Sequence, residues 1–168
     1  MDFKEVSVKD ISESVARLFD DEWTIIASGN REKNNFMTAS WGGMGVLWNK
    51  EVCFIFIRPQ RYTYEFVEKN NFFTLNFFDP TYRAVLEFCG TKSGRQYDKL
   101  KETSLSPVFD DPGYMYFQQA RLVFICRKLY FQDISPNGFI DFDIDKTIYS
   151  KKDYHRMYVG AIERVLSK

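Results

Sequence analysis

The chain has 168 residues, and its 23 Lys and Arg balance 23 Asp and Glu, so the formal charge is zero at pH 7. That length suits a single domain with a full core, expected over 1–168, and the absence of a net field argues against nucleic acid as a partner. Seventeen Phe and ten Tyr suit sheets, cores and subunit interfaces, which predicts a sheet-rich oligomer.

The start, Met1-Asp2-Phe3-Lys4-Glu5, lacks the apolar stretch of a signal peptide, and no apolar run reaches the length of a membrane span. The expectation is a cytoplasmic protein with no membrane partner. Cys53, Cys89 and Cys126 are odd in number, far apart and without a CxxC pair, and His155 is the sole histidine. They read as reduced, space-filling thiols, with neither a metal site nor a disulfide.

In chain order, Asp10 is placed to cap a helix over 11–19, because Ile11, Val15, Leu18 and Phe19 share a face at helical spacing. Trp23 to Ala27 reads as a strand, and the Ser28-Gly29-Asn30 turn leads through a polar loop to a second strand from about Phe36. There a period of two sets Phe36, Thr38 and Ser40 on one face and Met37, Ala39 and Trp41 on the other. Gly42, Gly43 and Gly45 are expected to break regular pairing. The apolar run Val52 to Ile57 predicts a strand buried on both faces.

Arg58 precedes Pro59 and is therefore extended. Tyr62 to Lys69 follows as a short helix, with Tyr62, Phe66 and Val67 inward and Glu65 paired to Lys69. Arg58 and Arg61 thus stand at a strand end and a helix start, where free backbone N–H groups also favour anions. Phe72 to Phe78 is a strand with Thr74 and Asn76 opposite Phe73, Leu75 and Phe77, and Tyr82 to Phe88 is a helix. Gly90 to Arg95 is a flexible cationic loop before a helical piece with Asp98, Lys99 and Leu100.

Thr103 to Gly113 reads as an irregular connection, and Tyr116 to Phe131 as one bent strand or two. After the Ser135-Pro136-Asn137-Gly138 turn, Ile140, Phe142 and Ile144 alternate with Asp141, Asp143 and Asp145, which predicts a charged edge strand. Met157 to Leu166 supplies the last strand. Many antiparallel strands with few, short helices predict a mainly β fold, a small barrel with peripheral helices.

At this point the residues resemble a family. Asn35-x-Met37-Thr38-Ala39-Ser40-Trp41-Gly42-Gly43, then Arg58-Pro59-x-Arg61-Tyr62-Thr63, then Ser93-Gly94-Arg95-x-x-Asp98-Lys99, and His155 five residues before Gly160, stand in the order seen in flavin reductase-like, flavoredoxin-type proteins. The resemblance covers the chain from about Trp23 to Val165. It implies a split β-barrel of antiparallel, Greek-key type that binds FMN and works as a homodimer with FMN near the interface. It also implies hydride or electron transfer through FMN, with NAD(P)H as a common donor and a small molecule or redox protein as electron partner. One departure stands out: where the family often has Gly-Glu-Val near the last strand, this chain has Gly160-Ala161-Ile162.

The resemblance assigns roles. Arg58 and Arg61 suit the phosphate of FMN, since guanidinium groups present forked donors. Ser40 adds a hydroxyl, Thr63 reaches the phosphate from the helix start, and Thr38, Ala39, Ser40 and Trp41 offer backbone amides along the ring. Lys92, with Lys99 behind it, places positive charge where reduction puts negative charge on the flavin. No catalytic side chain is required, because the flavin carries the chemistry; His155 either lines the donor site or is structural. Asn76 either bonds backbone within its sheet or faces the cofactor.

Three other readings stay open. An FMN-binding electron carrier would have no NAD(P)H activity of its own. A pyridoxamine phosphate oxidase-like enzyme would need a second phosphate site, for which no second arginine pair is evident. In a plain barrel interaction module, Arg58 and Arg61 would only pair with Glu65 or Glu68.

Overall fold

The structure is a computed structural model that describes residues 2–168. Its strands are β1 (Lys4–Val6), β2 (Thr24–Gly29), β3 (Asn34–Ala39), β4 (Gly42–Leu47), β5 (Lys50–Ile57), β6 (Phe72–Phe77), β7 (Pro107–Asp110), β8 (Tyr114–Phe117), β9 (Leu122–Asp133) and β10 (Arg156–Ser167). The α-helices are α1 (Val15–Arg17), α2 (Tyr62–Lys69), α3 (Arg83–Thr91), α4 (Lys99–Glu102) and α5 (Phe142–Ile148). None of these helices is long and apolar enough to cross a membrane.

One sheet runs in the order β3-β2-β6-β9-β10-β5-β4, antiparallel throughout, with β1 added to β10; β7 and β8 form a separate hairpin. Strands β5 and β10 are neighbours although β6 to β9 intervene in sequence, the long return that marks a Greek key. The two ends of the order, β3 and β4, are consecutive in the chain and joined only by Ser40 and Trp41. Three peptide steps span at most about 11 Å, so the sheet must curl until its two edges meet. The result is a split barrel whose seam lies at Ser40-Trp41.

Period-two alternation builds two cores. Inside the barrel lie Ile26, Met37, Cys53, Ile55, Ile57, Phe73, Leu75, Phe77, Phe124 and Tyr158. The opposite faces of β2, β3 and β9 send Ile25, Ala27, Phe36, Val123 and Ile125 outward under a cover of α3 and the β7–β8 hairpin. The central strands are therefore buried on both sides, which is why their sequences read as continuous apolar runs. In β5 the burial is uneven: Val52, Cys53, Ile55 and Ile57 are buried, while Phe54 and Phe56 are half-buried. The last strand passes Phe73 and Cys126 at Gly160, where a Cβ would fall 2.6 Å from the Phe73 ring.

Several local expectations are corrected. Asp10 caps no helix; it ends a 3₁₀ turn capped by Ser7, and α1 is capped by Ser14, whose hydroxyl accepts from Arg17 N before the chain continues as a π-helical turn over Leu18–Glu22. The glycines do not interrupt pairing, since β4 matches β5 without a break from Gly42 opposite Ile55 to Leu47 opposite Lys50. Gly42 is small because the Phe19 ring lies against it, where a Cβ would stand 2.2 Å from Cε1.

In α2, Thr63 and Val67 are the buried residues, and Tyr62 and Phe66 lie half-buried. Glu65 pairs with Arg95 rather than with Lys69. The connection after Thr103 contains an ordered strand, β7. The acidic stretch after Gly138 is a helix, α5, because Asp141 accepts from Asp143 N at 3.0 Å and caps it. Asp at alternate positions is poor strand composition and good first-turn composition.

Candidate functional site

A cleft of about 540 Å3 opens at the barrel seam, within the size range of small-ligand sites. The end of β3, the strand end after β5, the start of α2, the loop after α3, Lys99 of α4 and His155 before β10 converge on it. Thr38, Ala39, Ser40, Trp41, Arg58, Arg61, Thr63, Lys92, Lys99 and His155 all line it. Asn76 does not: fully buried, it donates to Ile25 O and Thr74 Oγ1 and accepts from Phe117 N, so its amide is consumed in joining β2, β6 and β8.

Arg58, Arg61, Lys92 and Lys99 line the cleft, and no Asp or Glu among the described residues does. Arg58 is partly neutralised, since it pairs with Asp153, donates to Ile148 O at 3.2 Å and lies over the Tyr149 ring. Among the described residues Arg61 and Lys92 have no carboxylate partner. Arg61 donates once, from Nη1 to Gly90 O at 2.8 Å. Lys99 is the most constrained cation: it is 5% exposed, and its ammonium donates to Phe36 O and Cys89 O at 2.8 and 2.9 Å. Burial pulls Lys99 down to about 8, with the Arg61 charge acting in the same direction.

The hydroxyls differ in availability. Thr38 Oγ1 donates to Leu86 O at 2.6 Å and so ties β3 to α3, while Thr63 Oγ1 accepts from Asn35 Nδ2 at 2.9 Å. Ser40 and Trp41 belong to neither flanking ladder, which leaves their backbone groups free for a ligand. Trp41 is half exposed and packs on the His155 ring at 4.9 Å between centroids. His155 Nδ1 meets the Tyr149 hydroxyl at 2.9 Å. Burial, with the Arg58 charge beside it, holds that imidazole down at about 4, so it is neutral at pH 7.

The cleft also takes in Asn35, Gln60, Ser93 and Gly94, which stand inside the sequence motifs but had been assigned no role. Their place in those motifs was the available signal. Phe56 and Cys89 carried none, because only the tertiary fold turns them toward the cleft; burial raises the Cys89 thiol to about 11, so it is protonated at pH 7.

A model of the flavin reductase like domain matches residues 16–166. No curated protein matches the chain. Among solved structures, the flavoredoxin of Methanosarcina acetivorans is 19% identical with a TM-score of 0.67, over 88% of this chain and 68% of that one. An FMN-binding domain of a flavin reductases-like enzyme from Shewanella baltica is 12% identical with a TM-score of 0.70, over 99% and 77%. An NADH:FAD oxidoreductase of Streptomyces globisporus, solved with NAD and FAD fragments, is 12% identical with a TM-score of 0.62, over 86% and 73%. At these identities the structures speak to the fold.

Proposed function

The chain belongs to the flavin reductase-like domain family, and from that premise we propose that it is an FMN-binding oxidoreductase that passes hydride or electrons through bound flavin, with NAD(P)H as donor. The observation that carries this reading is the lining of the seam cleft: four cations, of which Arg61, Lys92 and Lys99 have no carboxylate partner among the described residues, in a chain of zero net charge. Such a lining favours an anion, and Met37, Phe56 and Trp41 beside it offer apolar surface to a flat ring. FMN, with a phosphate at one end and an amphipathic ring at the other, fits these residues.

When bound, FMN supplies the two-electron chemistry. Arg61, with Thr63 and Lys92, provides donors for the phosphate, while Arg58, already paired with Asp153, adds positive charge at the Trp41 and His155 end. The backbone of Ala39, Ser40 and Trp41 offers hydrogen bonds along the ring's polar edge. Lys99, fixed on two carbonyl oxygens, contributes positive charge at the cleft wall without being drawn off into an ion pair. His155, neutral and positioned by Tyr149, packs behind Trp41 and shields that end of the cleft from water.

We further propose a homodimer, supported by the exposed Ile140, Phe142, Ile144 and Ile148 on or beside α5 together with Trp48 and Phe131. A reducing compartment, the cytoplasm, suits the three buried free thiols. The test is the visible absorption of the purified protein, before and after FMN is added and unbound flavin removed. Retained flavin absorption is expected, and a colourless protein that retains none after reconstitution refutes the reading. Steady-state flavin reduction with NADH and with NADPH separates the oxidoreductase from an electron carrier that lacks a nicotinamide donor.

A further inference from the structure

A second cleft of about 760 Å3 adjoins the first, and Asn35, Tyr62, Gly94 and Lys99 line both. The wall between them is a strap, Ser93-Gly94-Arg95, laid across the start of α2. Gly94 sits so tightly that a Cβ would fall 2.2 Å from Asn35 Oδ1 and 3.1 Å from the Tyr62 ring. Arg95 pins the strap down: it donates to Gln60 O at 3.0 Å, pairs with Glu65 and lies 4.7 Å from the centre of the Tyr62 ring. Ser93 Oγ accepts from Arg95 N, and Ser93 O accepts from Gln96 N and Tyr97 N, so the strap is a closed turn in its own right.

The orientation of an anionic ligand follows from the cations. Arg61 and Lys99 donate to Gly90 O and Cys89 O in the last turn of α3, and Lys92 and the strap leave from that same turn. The cations without carboxylate partners therefore gather at the strap end of the cleft, whereas Arg58, at the Trp41 and His155 end, already holds Asp153. A phosphate is drawn toward the strap. Anything attached beyond that phosphate must cross the strap to reach the second cleft, where Tyr62, Phe66 and Tyr97 offer rings for stacking.

Resting on the FMN reading, we propose that the Ser93–Arg95 strap is a size filter: it closes the cleft just past a terminal phosphate, admits the flavin mononucleotide and turns away the dinucleotide, with the Arg95–Glu65 pair as its latch. Arg95 and Glu65 lie outside the first cleft. Breaking the latch therefore opens the way to the second cleft while leaving the phosphate's own ligands in place.

Equilibrium titrations of FMN and of FAD, read by flavin fluorescence, test this on the wild type, Arg95→Ala and Glu65→Ala. The wild type is expected to favour FMN by about tenfold or more, and the variants to bring the two dissociation constants within about threefold, through tighter FAD binding and little change for FMN. A wild type that binds both flavins alike overturns the proposal, and so does an FMN-to-FAD ratio unchanged in every folded variant. Should Arg95→Ala fail to fold, Glu65→Ala decides alone. A wild type that binds neither flavin overturns the FMN reading and the filter with it, whereas tight FMN binding with an unmoved ratio overturns the filter only.

Discussion

Replacing Arg61 with alanine removes a guanidinium that makes one internal hydrogen bond, to Gly90 O, and no ion pair among the described residues. The loss to folding is one exposed hydrogen bond, about 1 kcal/mol, partly offset by relief of repulsion with Lys99. The loss to an anionic ligand is larger: a charge-assisted hydrogen bond contributes about 1.5 to 3 kcal/mol, which is roughly a 10- to 150-fold weaker dissociation constant. Titration with FMN by fluorescence, beside thermal unfolding of the ligand-free protein, measures both. Since the Arg61 charge helps to depress Lys99, the variant should also shift the alkaline fall in affinity to higher pH. An FMN dissociation constant within about threefold of wild type would refute the phosphate assignment.

Three further outcomes are expected. Lys99 has its folded pKa lowered from 10.5 to about 8, so its charge is present in the cleft below pH 8 and lost above; FMN affinity should fall as pH rises from 7 to 9, and Lys99→Met should flatten that profile. The same shift means that the ligand-free protein gains stability between about pH 8 and 10.5, where the unfolded chain still binds the proton, and this gain should vanish in the variant. His155, lowered from 6.5 to about 4, contributes a loss of stability as pH falls through that window, of about 3 kcal/mol; urea midpoints of His155→Phe against wild type should converge toward low pH. Gly42→Ala drives a Cβ into Phe19 and should destabilise by about 1 to 3 kcal/mol, while Gly45→Ala, with nothing within 4 Å, should stay within about 0.5 kcal/mol in thermal unfolding.

The parts of the fold legible in the sequence were those with one dominant period. The strands β2, β5, β6, β9 and β10 announced themselves through β-branched and aromatic runs, and α2 and α3 through turn signals and spacing. The alternating stretch at 140–145 misled because six residues satisfy alternation and a capped helix equally well, and the cap hydrogen bond that Asp141 accepts from Asp143 N outweighs pattern. The glycines after Trp41 misled in another way: they pair without a break, and the smallness of Gly42 answers Phe19, which lies 23 residues away and cannot be read from local spacing. Of the site, the cations and hydroxyls were legible as motifs. Asn76 was not, because a buried strand amide that braces three strands has the same sequence context as one that faces a ligand.

The seam at Ser40-Trp41 bears on how the protein survives without its ligand. Strands β3 and β4 end the order β3-β2-β6-β9-β10-β5-β4, so each keeps one side that no strand of that order occupies, and the end of β3 leads into the cleft. Open edges are where sheet proteins aggregate. Under the FMN reading, a ligand bonded to Ala39, Ser40 and Trp41 would cover the seam end of β3, part of the backbone that a second molecule would otherwise recruit. Flavin supply during expression should therefore govern how much of this protein is recovered in solution, quite apart from how fast it turns over.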